Sequence, residues 1–141
     1  MNILELPFNA HVGLERCDDG QDGLLRLPAD NRYTNHLGTV HASALFSLAE
    51  ASSGELLIAK LGDSASSIGA MVRRTETKFK KPATGEIRSM GGINESDWSA
   101  AMDQLAGKGR ALITIKIKIV DANDQIVSQS AFDWFLAKQD A

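Results

Sequence analysis

The sequence predicts an α+β fold, an antiparallel β-sheet wrapped around one long central α-helix, and two observations carry that prediction. Between Val40 and Leu61 there is no proline and Gly54 is the only glycine, while Ala, Leu, Glu and Ser dominate and Gly62 stands just past the end. Such a stretch is a helix about 30 Å long. Most of the chain after it reads as strand, most clearly Arg110–Val120, where Ile113, Ile115, Ile117 and Ile119 alternate with Thr114, Lys116 and Lys118. Strands gathered on either side of one helix make an antiparallel sheet with one face on the helix and the other solvated or against a partner.

In chain order, Met1–Leu6 reads as a short helical turn stopped by Pro7, and Ala10–Cys17 as a strand. Asp18-Asp19-Gly20 with Asp22-Gly23 make a turn, Gly23–Leu27 returns as a strand ended by Pro28, and Asn31–Gly38 is a polar loop. The helix follows. Its small residues Ala42, Ala44, Ala49, Ala51, Ser52, Ser53 and Gly54 suit close packing on a sheet or another helix. Ser67–Lys80 is then a long strand ended by Lys81-Pro82, and Glu86–Ile93 another, with Gly91-Gly92 marking a bend or bulge. Ser96–Leu105 is a short helix capped by Ser96 or Asp97. After Arg110–Val120 comes a turn at Asp121–Asp124 and a last strand, Gln125–Ala137, rich in β-branched and aromatic residues.

A chain of 141 residues suits one domain, spanning 1–141. Cys17 is the only cysteine, so no intrachain disulfide forms, which fits a reducing compartment. The net charge of −3 gives no reason to expect a nucleic-acid partner. Met1–Pro7 lacks a basic segment and a long apolar run, so it is no secretory signal. No apolar run approaches the ~20 residues that cross a bilayer. The expectation is a soluble, cytoplasmic protein without a membrane partner. His36, His41 and Cys17 make no zinc-ligand pattern, and no glycine-rich phosphate loop occurs.

The chemistry-bearing segment is Asn35-His36-Leu37-Gly38-Thr39-Val40-His41-Ala42, running into the helix. A helix N-terminus offers free backbone N–H groups to a developing oxyanion, each worth roughly 2.7–4 kcal/mol in a transition state. The Ala42 amide is the natural donor, with Asn35 and His41 nearby in sequence. Ser43, Ser47, Glu50 and Gly54 recur at helical spacing and share one stripe, in which Glu50 can activate water or attack a carbonyl. Taken singly, a mid-helix glutamate is usually a solvated charge, Asn35 a turn residue and His41 a cap; their spacing makes them candidates together. Ala42 and Glu50 are eight residues apart, about 12 Å along a helix axis. A single carbonyl carbon cannot touch both on one helix, so two chains with antiparallel neighbouring helices would have to combine them. Arg73, Arg74, Lys78, Lys80, Lys81 and Arg88 make a basic stretch, from which Arg74, Lys80 and Lys81 are candidates for phosphate.

The pattern Asn35-x5-His41-Ala42-x7-Glu50, on a loop leading into a long helix, resembles the hotdog-fold acyl-CoA thioesterases. The phenylacetate-pathway and 4-hydroxybenzoyl-CoA groups look most similar. Element order agrees over nearly the whole chain; the specific match is confined to about residues 31–54, with support from Phe79–Gly85. The resemblance implies a hotdog domain that hydrolyses an acyl-CoA or related thioester as a dimer or a tetramer of two dimers. It implies no cofactor beyond coenzyme A as part of the substrate. By it, Asn35 orients water or nucleophile, His41 and Ala42 supply the oxyanion hole, and Glu50 of the neighbouring subunit is nucleophile or general base. Ser43 and Ser47 would line the substrate side, and Arg74, Lys80 and Lys81 would meet the coenzyme A phosphates. The family usually has glycine where this chain has Ala42 and Ser43, so a methyl group faces the thioester here. Two other readings stand beside it. His36 and Glu50, fourteen apart, resemble a hotdog hydroxyacyl-thioester dehydratase or hydratase, without that group's prolines around the histidine. The scaffold could also bind an acyl thioester without turning it over.

Overall fold

A computed structural model describes residues 1–140. Six strands form one antiparallel sheet: β1 (Glu15–Arg16), β2 (Leu25–Leu27), β3 (Ile68–Phe79), β4 (Ile87–Gly92), β5 (Arg110–Val120) and β6 (Ile126–Lys138), in the order β1-β2-β4-β5-β6-β3. Three α-helices accompany it: α1 (Pro7–Val12), α2 (Ala42–Leu61) and α3 (Glu95–Lys108). The sheet curls around α2, the hotdog arrangement.

Why α2 is central follows from its composition. Ala44, Leu45, Leu48, Ala49, Ala51, Ser52, Ser53, Gly54, Leu57 and Leu61 are all buried, which leaves little polar face for solvent. A helix apolar nearly all round is stable only when covered on several sides. The sheet side is supplied by Ile113, Ile115, Ile117 and Ile119 of β5 and by Phe132 and Leu136 of β6, all within one core with α2. Two buried hydroxyls on that side bridge elements. Ser52 Oγ lies 2.6 Å from Leu48 O and 2.6 Å from Ser89 Oγ, which also takes the Leu25 N–H at 3.0 Å. Helix α2 is thus stitched to β4 and β2, whereas the buried Ser128 Oγ of β6 meets no partner among the described residues.

The structure corrects the sequence reading at several points. Ala10–Cys17 is not a strand: Pro7–Val12 is helical, and only Glu15–Arg16 pairs, with Leu25 and Arg26. The expected N-terminal helical turn is present as a 3-10 turn, Ile3–Glu5, ending just before Pro7, and Pro7 also begins α1 at its first turn, where its missing N–H would be unpaired in any case. Gly13 ends it in the left-handed region at φ 86°, where a β-carbon would also stand 2.8 Å from the Tyr33 hydroxyl. Gly91 and Gly92 cause no bulge, since both keep regular register with Ile117 and Lys116; the register shifts lie at Val72/Arg74 and Ile119/Val120. Helix α3 is capped by Asn94, whose side chain accepts from the Asp97 amide, and not by Ser96 or Asp97. The polar loop after Pro28 contains a 3-10 turn, Asn31–Tyr33, whose buried tyrosine donates to Val12 O. The long helix and the last three strands lie within two residues of their predicted bounds.

Candidate active site

The approach to α2 is held by its own polar side chains. Asn35 Oδ1 accepts from the Leu37 and Thr39 amides at 2.9 and 3.1 Å, and Asn35 Nδ2 donates to Thr39 Oγ1 at 2.9 Å. Its backbone N–H meets Thr39 O at 2.8 Å, and Gly38 turns the tip at φ 75°. Asn35 thereby spends its carboxamide oxygen on shaping the loop and keeps one amide hydrogen for anything else. His36 and Leu37 stand exposed at the tip. The returning chain is anchored on both sides: Val40 N–H to Ala83 O at 2.8 Å and His41 N–H to Tyr33 O at 2.7 Å. The first bond ties the loop to Pro82-Ala83-Thr84, the stretch the resemblance singled out.

His41 is the N-cap of α2, and its Nδ1 accepts from the Ser43 amide at 2.9 Å. A ring nitrogen that accepts carries no proton, so the proton sits on Nε2. Backbone carbonyl His41 O takes the Ala44 and Leu45 amides at 2.9 and 3.1 Å. Of the first four helical amides, only that of Ala42 meets no acceptor among the described residues. Ala42, Ser43 and His41 are exposed. The result is one open amide and one outward imidazole N–H at the positive end of a helix.

His41, with Ser43, Ala44 and Ser47, lines one side of a cleft of about 540 Å³, and Phe8, His11 and Val12 of α1 line the other, with Arg32, Tyr33 and Thr34 beneath. Its size and mixed lining suit a small organic ligand. Ser47 Oγ donates back to Ser43 O at 2.8 Å and can still accept. The α1 wall is what the sequence reading missed, because Ala10–Cys17 reads there as a strand. Pro7 followed six residues later by Gly13 was the available helix signal.

Glu50 lies further along α2, half-buried. Burial pushes its carboxyl pKa above the ordinary glutamate value. Its carboxylate has no hydrogen-bond or ion-pair partner among the described residues. Neighbours on the same face fix the turn. Phe46 stacks at 5.7 Å on Phe132 of β6, and Ser53 Oγ donates to the Glu50 carbonyl at 2.7 Å while accepting from Trp134 Nε1 at 3.0 Å. A carboxylate so placed can take a proton from water, the work of a general base. It does not line the cleft at the helix start, as the 12 Å axial spacing requires.

Arg74, Lys80 and Lys81 are not brought to the cleft of their own chain. Arg74 projects from the outward face of β3, 3.8 Å from Glu76. Lys80 and Lys81 are exposed just past the end of β3, their amides both on Val127 O. Arg88, from the same basic stretch, is buried and bound to Asp124 and to the Asp22 carbonyl, a structural role. No group of three or more metal-ligating side chains occurs among the described residues. No helix among them is long and apolar enough to cross a membrane.

Comparison with known proteins gives a family and a fold. Residues 14–136 match the family described as Domain of unknown function (DUF4442). No curated protein matches significantly. A Pseudomonas aeruginosa protein described as "Protein of Unknown Function" and "Probable Thioesterase" is 26% identical with a TM-score of 0.78, over 97% of this chain and 91% of that one. A Chlorobaculum tepidum protein of unknown function is 20% identical with a TM-score of 0.81, over 96% and 88% of the two chains. A Bacillus halodurans protein solved with CoA is 20% identical with a TM-score of 0.62, over 79% and 69%. The long helix within a six-stranded antiparallel sheet is the hotdog fold of these thioesterase-like neighbours.

Proposed function

Since this chain belongs to the DUF4442 family, we propose that it hydrolyses acyl thioesters, acyl-CoA foremost, at sites shared between two copies. The observation that carries this reading is the pair of uncommitted groups on α2: the free Ala42 amide beside His41 Nε2–H, and the unpaired, half-buried Glu50. The thioester carbonyl would lie at the helix start, its oxygen on Ala42 N–H and His41 Nε2–H. Glu50 of the second copy would take a proton from water as the hydroxide adds to the carbonyl carbon, or would add to that carbon itself. The C–S bond then breaks and the thiolate takes a proton; the free acid leaves directly in the first case, and in the second after water hydrolyses the mixed anhydride left on Glu50. Asn35 acts as a positioning residue, through its remaining amide hydrogen and through the loop it shapes. Ser43 and Ser47 line the acyl side. Arg74, Lys80 and Lys81 flank the free edge of the sheet and would meet the coenzyme A phosphates from across the interface. The reaction calls on no cofactor other than the coenzyme A of the substrate.

Self-association draws support from β3. It is the last strand of the sheet, twelve residues long, with one edge unpaired and with Met71 and Phe79 exposed along it. Long bare edges are templates for another strand. A dimer, or a tetramer of two dimers, would cover that edge. A strictly monomeric active species in light scattering under assay conditions would contradict the shared site.

The dehydratase reading loses ground, because His36 stands exposed at the loop tip, outside the cleft. Binding without turnover is favoured by one feature, the Ala42 methyl beside the open amide. The test is thiol release from short, long and aromatic acyl-CoAs, wild type beside Glu50→Gln. Turnover that collapses in the variant supports hydrolysis. Tight binding with no turnover would replace it with the binding reading, and turnover unaffected by the substitution would mean another group is the base.

A further inference from the structure

The face of the sheet turned away from α2 carries an ordered pattern of which the proposed thioester hydrolysis would use only Arg74. Cross-strand register aligns its residues in rows, since directly paired residues share a face. One row is Leu112, Phe135 and Met71; the next is Thr114, Asp133 and Arg74; then come Lys116, Ala131 and Glu76; and last Met90, Lys118, Gln129 and Lys78. The first row is apolar, with Leu112 55% and Met71 59% exposed, and Arg73 lies 4.2 Å over the Phe135 ring. At the other end Lys78, Lys116 and Lys118 converge with Gln129 on a shallow groove of about 510 Å³. None of these three lysines has an ion-pair partner among the described residues.

Charge is strongly divided between this face and the rest. Arg73, Arg74, Lys78, Arg110, Lys116 and Lys118 stand against Glu76 and Asp133, six cations to two anions, or +4. The whole chain carries −3, so everything outside this face sums to −7. We propose that the outward sheet face docks an acidic protein surface, one that sets carboxylates over Lys78, Lys116 and Lys118 and an apolar side chain against Leu112, Phe135 and Met71. An exposed apolar row beside a cationic patch has the composition of a recognition surface rather than of ordinary solvated sheet. A second copy is a poor occupant, because two faces of +4 repel. A nucleic acid fits less well, because Glu76 and Asp133 sit amid the cations and the rest of the chain carries a net −7. A protein can match that mixed pattern site by site, whereas a uniform phosphate lattice cannot.

The test titrates the full-length chain with a synthetic helical peptide bearing glutamates on both sides of a leucine stripe. Duplex DNA and phosphatidylserine vesicles are run in parallel. Amide NMR shifts are expected on the outward positions of β3, β5 and β6, with affinity falling at least about tenfold in Lys78→Glu/Lys116→Glu/Lys118→Glu. The melting point of this variant should stay at the wild-type value, since all three side chains are exposed. Leu112→Asp should weaken the peptide as well, without altering the mass of the chain in solution. Several results would overturn the proposal: unchanged affinity in the triple variant, shifts at the α2 cleft instead, tighter binding of DNA or vesicles than of peptide, or a smaller assembly in Leu112→Asp, which would make the face a contact between copies.

Discussion

The Ser43 amide donates to Nδ1 of His41 at 2.9 Å, and this bond decides which groups at the start of α2 remain available. It consumes the amide beside Ala42, so the helix opens with a single free N–H. It also fixes the imidazole proton on Nε2, facing away from the helix. Capping and function can therefore be separated by substitution. Asparagine caps well, so His41→Asn should leave the urea midpoint close to wild type, whereas His41→Ala should cost about 1 kcal/mol. Both lose the Nε2 donor, and kcat should fall in both by about 10²-fold. Equal rates in wild type and His41→Asn would remove the imidazole from the oxyanion hole.

Glu50 links stability to pH in a direction opposite to most carboxylates. Burial raises its folded-state pKa above the ordinary 4.5, so folding favours the protonated form. The stabilisation this gives is fully present below the unfolded value and is lost as pH rises through the folded one. At neutral pH the ionised group is a burden, so Glu50→Gln should raise the melting point at pH 8 and leave it unchanged below about pH 4. Catalysis runs the other way. The base must be ionised, so kcat should climb with pH along a limb lying above the ordinary glutamate range. Thermal scans and a pH–rate profile read the two effects, and a limb at the ordinary value would mean that the carboxylate is solvated in the working enzyme.

Trp134 holds the turn that carries Glu50. Its Nε1 donates to Ser53 Oγ, which donates in turn to the Glu50 carbonyl. Trp134→Phe removes the donor and leaves a small void beside Gly54, which the indole faces. A loss of about 2 kcal/mol is expected in urea unfolding. Amide exchange should quicken first around residues 50–54. Unfolding at the wild-type midpoint would show that the indole is not a support.

How much could be read from the sequence depended on range. Helix α2 and strand β5 were legible because Ala/Leu/Ser runs and the Ile113–Ile119 alternation are local signals that the tertiary fold only reinforces. Helix α1 was not, because six residues give no full apolar period and Pro7 reads equally as a stop or a start. The Gly91-Gly92 pair misled in the other direction, since Gly91 accommodates close approach to Lys116 and Ile117 within regular pairing. At the site, the helix-start amide and Glu50 were legible from spacing. The Asn35–Thr39 loop bonds and the α1 wall of the cleft were not, because both depend on contacts that only the folded chain makes.

Subunit complementation bears most directly on the shared site. Ala42→Pro removes the amide donor, yet proline suits the first helical position and His41 already has the extended backbone that precedes it, φ −63° and ψ 140°. Ala42→Pro and Glu50→Gln should each be inactive alone. Unfolded, mixed in equal amounts and refolded together, they form hybrids in which one of the two sites regains both groups, and thiol release should return to about a quarter of the wild-type rate. No recovery in a mixture shown to contain hybrids would place both groups on one chain, or neither in the reaction, and would contradict the account.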